Sequence, residues 1–246
     1  RRLPMSYDPL RMAEDPAQAA SPPAAPDPRW WGLREEILVF LGCAAGAVAI
    51  VQGAGRLPVV GAHAQELAEL LFLLVPFLIV EKRGERIEDY GFHLRRAWRS
   101  VAVALVPMLI VFPPFVLGFA WWWNPPHAFL FERLPDGYWN IALAQFLVVA
   151  LPEEALFRGY LQTRLERRLP SRSWHGIPIG WAIPLTSAAF ALLHFVVIPA
   201  PARLAVFFPS LLFGVLRHWT GSLVAPILFH GASNVLGDAL NFGYMT

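Results

Sequence analysis

Seven apolar runs, separated by short polar segments, constrain the fold of this chain more than any other feature. A helix needs about 20 residues to cross the hydrocarbon of a bilayer, and most of the runs reach or approach that length. Backbone groups in hydrocarbon must bond to one another, so runs of this kind predict helices. We therefore predict an all-α fold, a polytopic transmembrane helical bundle of about seven spans within a range of six to eight. The runs are 37–53, 67–80, 101–120, 139–163, 179–197, 204–216 and 222–240.

The composition favours a single membrane domain. Of the 246 residues, 56% are hydrophobic and only 15% are charged, which is too apolar for a soluble domain. Residues 1–30 are rich in Pro, Ala and Asp without a long apolar run, which predicts a disordered cytoplasmic tail and no signal peptide. Residues 31–246 form the predicted transmembrane domain. The single cysteine, Cys43, has no second thiol to pair with, so we predict a buried apolar packing role for it.

Basic residues indicate on which side of the membrane each loop lies. They gather in the tail and in segments 82–99 and 164–172, whereas the intervening loops hold few of them. Because cytoplasmic loops collect Lys and Arg, the N-terminus is predicted to be cytoplasmic. All but one of the 20 basic residues are arginine, which is typical of a GC-rich bacterial genome. The predicted location is therefore the inner membrane of a bacterium.

The fourth run contains two adjacent acids, Glu153 and Glu154, followed by Arg158. Side chains four residues apart share a helix face, whereas those of neighbours diverge by about 100°. We therefore predict an ion pair between Glu154 and Arg158, which leaves Glu153 available for another task. Ionisable side chains are costly in hydrocarbon, so their presence within a span indicates a functional site.

Two further runs each contain a histidine at a comparable depth. His194 ends the segment FALLH, and His230 precedes Asn234 by one helical turn. At about 1.5 Å per residue, Glu153, His194 and Asn234 each lie roughly 15–20 Å from the cytoplasmic ends of their spans. A carboxylate beside an imidazole can take a proton from water, and an imidazole with an amide can donate to an oxyanion. This combination is suited to hydrolysis of an amide by an activated water.

The motifs EExxxR, FxxxH and HxxxN, in this order and in separate apolar runs, resemble those of a known family. It is the CPBP family (CAAX protease and bacteriocin-processing, or Abi) of intramembrane endopeptidases, which includes type II CAAX prenyl proteases and myxosortase-like enzymes. The resemblance covers about residues 145–241, the motif-bearing core of the predicted protease domain.

The resemblance implies a role for each motif residue. Glu153 with His194 would activate water. His230 with Asn234 would stabilise the oxyanion. Glu154 with Arg158 would support the site. The implied fold is an all-helical bundle with a cavity open to the membrane and the cytoplasm.

These residues leave the cofactor and the class of function open. Glu153, His194 and His230 are suitable ligands for one zinc ion, and the same three residues can also act without a metal. We favour the metal-free form with no cofactor, a glutamate-type endopeptidase. The alternatives to an enzyme are a non-catalytic immunity or scaffold protein of the same fold and a transporter with a proton relay.

The expected partners are the lipid bilayer and a membrane-anchored protein or peptide, cleaved near its C-terminal tail. Nucleic acid is not an expected partner, and the sequence does not indicate an oligomeric state. The segment after the fourth run carries four arginines, which we predict attract an anionic juxtamembrane part of the substrate. They are Arg164, Arg167, Arg168 and Arg172.

Overall fold

Helices account for most of the described chain. The computed structural model describes residues 31–174 and 177–245, and each of the seven predicted runs is helical over most of its length. The predicted all-α membrane bundle is confirmed, and the predicted tail, residues 1–30, lies outside the described residues. The helices are α1 (Trp31–Val48), α2 (Pro58–Ala62), α3 (Ala64–Lys82), α4 (Ala97–Trp123), α5 (Tyr138–Ala144), α6 (Leu151–Glu154), α7 (Thr163–Glu166), α8 (Ala182–Val197), α9 (Phe207–Thr220) and α10 (Val224–Met245).

Turns of π-helix and 3-10 helix extend or connect these elements. Two π-helical turns join α5, α6 and α7 into one continuous helix, Tyr138–Glu166, which we call the long helix. The π-helical turns cover Ala49–Gly53, Gln145–Ala150 and Ala155–Gln162, and the 3-10 turns cover Ala54–Arg56, Ile87–Tyr90, Phe131–Arg133 and Pro201–Val206.

Three helical stretches are long and apolar enough to cross a membrane. They are Leu33–Gly53, Ala97–Trp123 and the long helix, and Ala182–Val197 is a shorter apolar helix. The other predicted runs are helical but are shorter or more polar, so the count of seven crossings stays a prediction. Helix α4 leaves most of its apolar side chains exposed, with Leu109 at 75% and Leu117 at 72%. A continuous apolar surface of this kind is suited to contact with lipid.

The start of the fifth predicted run is wrong. Residues Ser171–Trp174 and Ile177–Gly180 pair as antiparallel strands β1 and β2, with Ser171 opposite Gly180, and α8 begins only at Ala182. The apolar composition of residues 179–181 favoured a longer helix. A proline at 178 lacks a backbone donor and a glycine at 180 has low helix propensity, so the helix begins after both.

The core surrounds the long helix. Helices α3, α8, α9 and α10 pack against it, and their buried faces contribute aromatic side chains. Phe157 contacts Phe190 edge to face with ring centroids 4.9 Å apart, and Phe213 contacts both Phe190 and Phe229. The predicted burial of Cys43 is confirmed, since only 1% of it is exposed. These rings form a rigid apolar layer next to the polar motif residues.

A network of ion pairs closes the C-terminal end of the long helix. Arg164 donates to Glu36 Oε1 at 2.8 Å and to Glu85 Oε1 at 3.0 Å, and Arg167 donates to Glu85 Oε2 at 2.9 Å. Although partial burial raises the pKa of Glu85, a hydrogen bond from Tyr90 and the two arginine charges outweigh it and hold that pKa below its usual range.

The same network limits the predicted attraction of an anionic substrate segment. Of the four arginines proposed for it, Arg164 and Arg167 bind the internal carboxylates, and Arg168 lies 3.3 Å from Glu36 Oε1. Arg172 on strand β1 is exposed. The three paired arginines hold α1, the turn after α3 and the long helix together. Of the four, Arg172 remains the candidate for attracting an anionic segment of the substrate.

Candidate active site

A proline determines the local shape of the helix that carries the two acids. Pro152 has no backbone N–H, and its ring would clash with the carbonyl of residue 148 in a regular α-helix. The sequence predicts an opening at this point, and a π-helical turn covers Gln145–Ala150 directly before it. A second π-helical turn, Ala155–Gln162, follows the acids. Turns of this type widen the helix without ending it and are common at functional sites.

Glu153 lies between the two predicted histidines. Its Oε1 is 3.7 Å from His194 Nε2, and its Oε2 is 3.5 Å from His230 Nε2. The side chain is buried, and Oε2 has no hydrogen-bond partner among the described residues. Both separations exceed a direct hydrogen bond, and a water beside either pair is within reach of both groups. Three separate helices thus bring a carboxylate and two imidazoles to one point.

The hydrogen bonds of each histidine determine which ring nitrogen is presented to Glu153. His194 Nδ1 lies 3.0 Å from the carbonyl oxygen of Phe190, which only accepts, so Nδ1 carries the proton. His230 Nδ1 lies 2.9 Å from Glu154 Oε1 and donates to that carboxylate. In both rings Nε2 is therefore the atom directed at Glu153. The FxxxH spacing also places the Phe190 ring beside that of His194, with ring centroids 4.3 Å apart.

The predicted ion pair between Glu154 and Arg158 is present and fully buried. Arg158 Nη1 donates to Glu154 Oε1 at 3.0 Å, and neither side chain is exposed. Arg158 Nη2 also donates to Ser210 Oγ at 2.5 Å and to its carbonyl at 3.1 Å. The guanidinium carbon lies 4.6 Å from the ring centroid of Phe190, a distance typical of a cation–π contact. Glu154 is therefore linked to α9 through Arg158 and to α10 through His230.

Asn234 has a partner that sequence reasoning missed. Its Nδ2 donates to Gln145 Oε1 at 3.1 Å, and Gln145 Nε2 donates to Asp238 Oδ2 at 2.7 Å. The chain of amides fixes the orientation of Asn234, and one Nδ2 hydrogen remains for another acceptor. His230 and Asn234 lie one turn apart on α10, as predicted, but each is bonded to a different residue of the long helix. A polar residue at 145 inside an apolar run was the available signal.

Comparison with known families gives an independent view of this segment. Residues 135–236 match the family described as type II CAAX prenyl endopeptidase Rce1-like. The predicted resemblance is confirmed. The match covers 102 residues, from 135 to 236 inclusive, and includes all six motif residues. No curated protein and no solved structure gives a significant match to the chain.

The geometry of the matched segment, residues 135–236, does not favour the zinc alternative. The Nε2 atoms of His194 and His230 approach different oxygens of Glu153, at 3.7 and 3.5 Å. Across residues 31–174 and 177–245, no group of three or more His, Cys, Asp or Glu side chains is arranged to hold a metal ion. The described side chains as arranged do not fit a zinc site.

Two other buried polar side chains near the motifs were missed. Ser210 lies on α9 and accepts from Arg158, as described above. Glu69 lies on α3, inside the predicted run 67–80, and its Oε2 is buried without a hydrogen-bond partner among the described residues. An acid within an apolar run was the same signal that identified Glu153, and in the second run it was passed over.

A glycine beside His230 allows α10 to approach the long helix. A Cβ atom at Gly231 would overlap the ring of Phe146, whereas one at Gly237 on the same helix would meet nothing within 4 Å. We expect Gly231→Ala to lower the free energy of unfolding in detergent micelles by about 1–3 kcal/mol through overpacking. Gly237→Ala should be neutral or raise it by up to about 1 kcal/mol, because alanine favours helix. Equal effects of the two substitutions would contradict the proposed close approach.

Proposed function

We propose that this protein is an intramembrane endopeptidase that hydrolyses a peptide bond of a membrane-anchored protein near its C-terminal tail. The observation that carries the proposal is the position of Glu153, buried and unpaired at Oε2 between the Nε2 atoms of His194 and His230. A buried carboxylate without a partner is costly. In a purely structural site this carboxylate would have a cationic partner, as Glu154 on the same helix has in Arg158.

The proposed reaction begins with a water held between Glu153 and His194. Glu153 takes one proton from the water as its oxygen forms a bond to the carbonyl carbon of the substrate. The carbonyl oxygen becomes an oxyanion, and the remaining Nδ2–H of Asn234 donates to it. His230 contributes its Nε2–H when it carries both ring protons, with Glu154 accepting from Nδ1. The oxyanion then collapses, the C–N bond breaks, and the nitrogen receives a proton and leaves as an amine, so that one water is consumed overall.

The surroundings of the site support a substrate that arrives through the membrane. Three helices are long and apolar enough to cross a bilayer, and the motif residues lie within the bundle. We place the protein in a bacterial inner membrane with its N-terminus and the arginine-rich ends of the spans in the cytoplasm. Residues 1–30 would be a cytoplasmic tail, and residues 31–246 the protease domain.

The decisive experiment compares the C-termini of membrane proteins by mass spectrometry in cells with wild-type protein and with a Glu153→Ala variant at matched expression. We expect a small set of new C-termini that is present only with the wild type. These termini would identify the substrate and the scissile bond together. Identical C-termini in both strains would reject the endopeptidase and favour the non-catalytic immunity or scaffold protein.

A separate measurement addresses the metal. Cleavage of the substrate by purified protein is expected to continue after chelation, with a zinc content well below one per chain. A zinc content near one per chain, lost together with activity on chelation and regained with it on adding zinc, would contradict the metal-free mechanism. Zinc-loaded chelator is the matched control, because it adds the same organic ligand with no free capacity to remove zinc.

A further inference from the structure

Glu69 interrupts the buried face of α3. The buried residues of this helix recur at helical spacing and are otherwise apolar apart from this acid. Only 6% of Glu69 is exposed, whereas Glu66, one turn earlier, is exposed. An acid on a buried stripe replaces a favourable apolar contact with a desolvation cost. The other buried members of the face are Ala68, Phe72, Pro76 and Val80.

The fold brings Glu69 to the candidate active site. Helix α3 packs against α6, which carries Glu153, and Glu69 belongs to the buried face of α3. The ends of the two helices meet where Arg164 binds Glu85, just beyond α3. Counted from that end, Glu69 lies 13 residues before Lys82 and Glu153 lies 11 before Arg164. At about 1.5 Å per residue, both acids are about 17–20 Å deep.

The nearby positive and titratable groups are bound to other partners. Arg158 is paired with Glu154, and His230 donates to the same carboxylate. His194 donates its Nδ1 proton to a backbone carbonyl. On α1, Glu36 is paired with Arg164 at the far end of the bundle. Among the described residues, no hydrogen bond or ion pair joins a cation to Glu69. The helix that packs against α3 at this level carries another acid, Glu153.

Pairs of carboxyl groups in one apolar site commonly divide the roles of acid and base, one donating a proton and the other accepting one. We propose that Glu69 is the proton donor of this site, the acid that protonates the leaving amine while Glu153 deprotonates the water. This inference rests on the proposed function and adds a residue outside the matched segment 135–236.

The proposed steps balance within the pair. A water O–H bond breaks, its proton passes to Glu153, and the oxygen bonds to the carbonyl carbon. The C–N bond then breaks, and the proton of Glu69 passes to the departing nitrogen, which leaves as an amine. The proton held by Glu153 finally passes to Glu69, so the pair regains its starting state. One water is consumed and no other reactant is required.

The test compares an amide with an ester at the same scissile bond. An alkoxide leaves without prior protonation far more readily than an amide nitrogen does, so an ester substrate bypasses the proton donor. We expect Glu69→Gln to lower kcat/KM for the amide by about 10²–10³-fold and for the ester by less than about 3-fold. Glu66→Gln, an exposed acid one turn away on the same helix, is the matched control and should leave both rates unchanged.

The outcomes separate this inference from the proposed function. Equal losses for amide and ester would assign Glu69 a structural role and overturn the inference. An unchanged amide rate in Glu69→Gln would overturn it too. In both cases the proposed function stands as long as wild type cleaves and Glu153→Gln does not. If wild type and Glu153→Gln are equally inactive on both substrates, the endopeptidase itself is rejected, and the role of Glu69 with it.

Discussion

Replacing Glu153 with glutamine is expected to lower kcat/KM for the peptide substrate by about 10⁴-fold, the upper end of the contribution of a positioned general base. Glutamine has the same size as glutamate but does not accept a proton from water. Because Glu153 Oε2 lacks a hydrogen-bond partner among the described residues, the substitution breaks no bond of that oxygen. The measurement is the cleavage rate of purified protein in lipid vesicles, with folding checked by the thermal unfolding temperature.

Glu66→Gln provides the control for Glu153→Gln. It removes one carboxylate from an exposed position on α3, so cleavage and unfolding temperature should match those of wild type. Cleavage by Glu153→Gln at more than about a tenth of the wild-type rate would reject Glu153 as the base. A loss of cleavage with an equal loss of folded protein would do the same, since it would indicate a role in stability.

Local periodicity was sufficient to predict the residues that share a helix turn. The i, i+4 spacing placed Arg158 beside Glu154, and the structure has that contact at 3.0 Å. The FxxxH pattern placed residue 190 one turn before His194, where its carbonyl accepts from the ring. Helical geometry alone determines contacts of this kind.

Contacts between helices could not be predicted in the same way. Gln145 lies 89 residues before Asn234, and Glu69 lies 84 before Glu153, so neither the hydrogen bond of the first pair nor the packing of α3 against α6 leaves a periodic signal. The rotation of each helix about its axis decides which polar residue faces the site, and that rotation depends on packing. The hairpin before α8 was missed because an apolar segment of about four residues suits a strand as well as a helix.

Replacing Arg158 with methionine is expected to lower the free energy of unfolding by about 3–5 kcal/mol. Methionine preserves much of the volume of arginine but leaves the carboxylate of Glu154 buried with only His230 as a donor. It also removes both hydrogen bonds to Ser210 on α9 and the cation–π contact with the Phe190 ring. Chemical unfolding in detergent micelles measures the effect.

The surface offers a matched control for the charge removed. Arg86 Nε lies 3.7 Å from Glu88 Oε2, and their side chains are 68% and 43% exposed. Arg86→Met removes an ion pair between the same residue types and should lower the free energy of unfolding by less than about 1 kcal/mol. A similar effect at both positions would indicate that burial does not determine the contribution of the pair.

A double-mutant cycle separates the ion pair from the packing around it. Glu154→Gln alone leaves the guanidinium of Arg158 buried without a carboxylate, so it should also destabilise the protein strongly. In the double variant no unpaired charge remains, and its destabilisation should fall short of the sum of the single effects by about 1–3 kcal/mol. Additive effects would contradict direct coupling. Glu154 also accepts from His230 Nδ1. The double variant should therefore remain poorly active, even if it is more stable than the single effects predict. Recovery of stability without recovery of cleavage would therefore distinguish the pair's contribution to folding from its orientation of the catalytic imidazole.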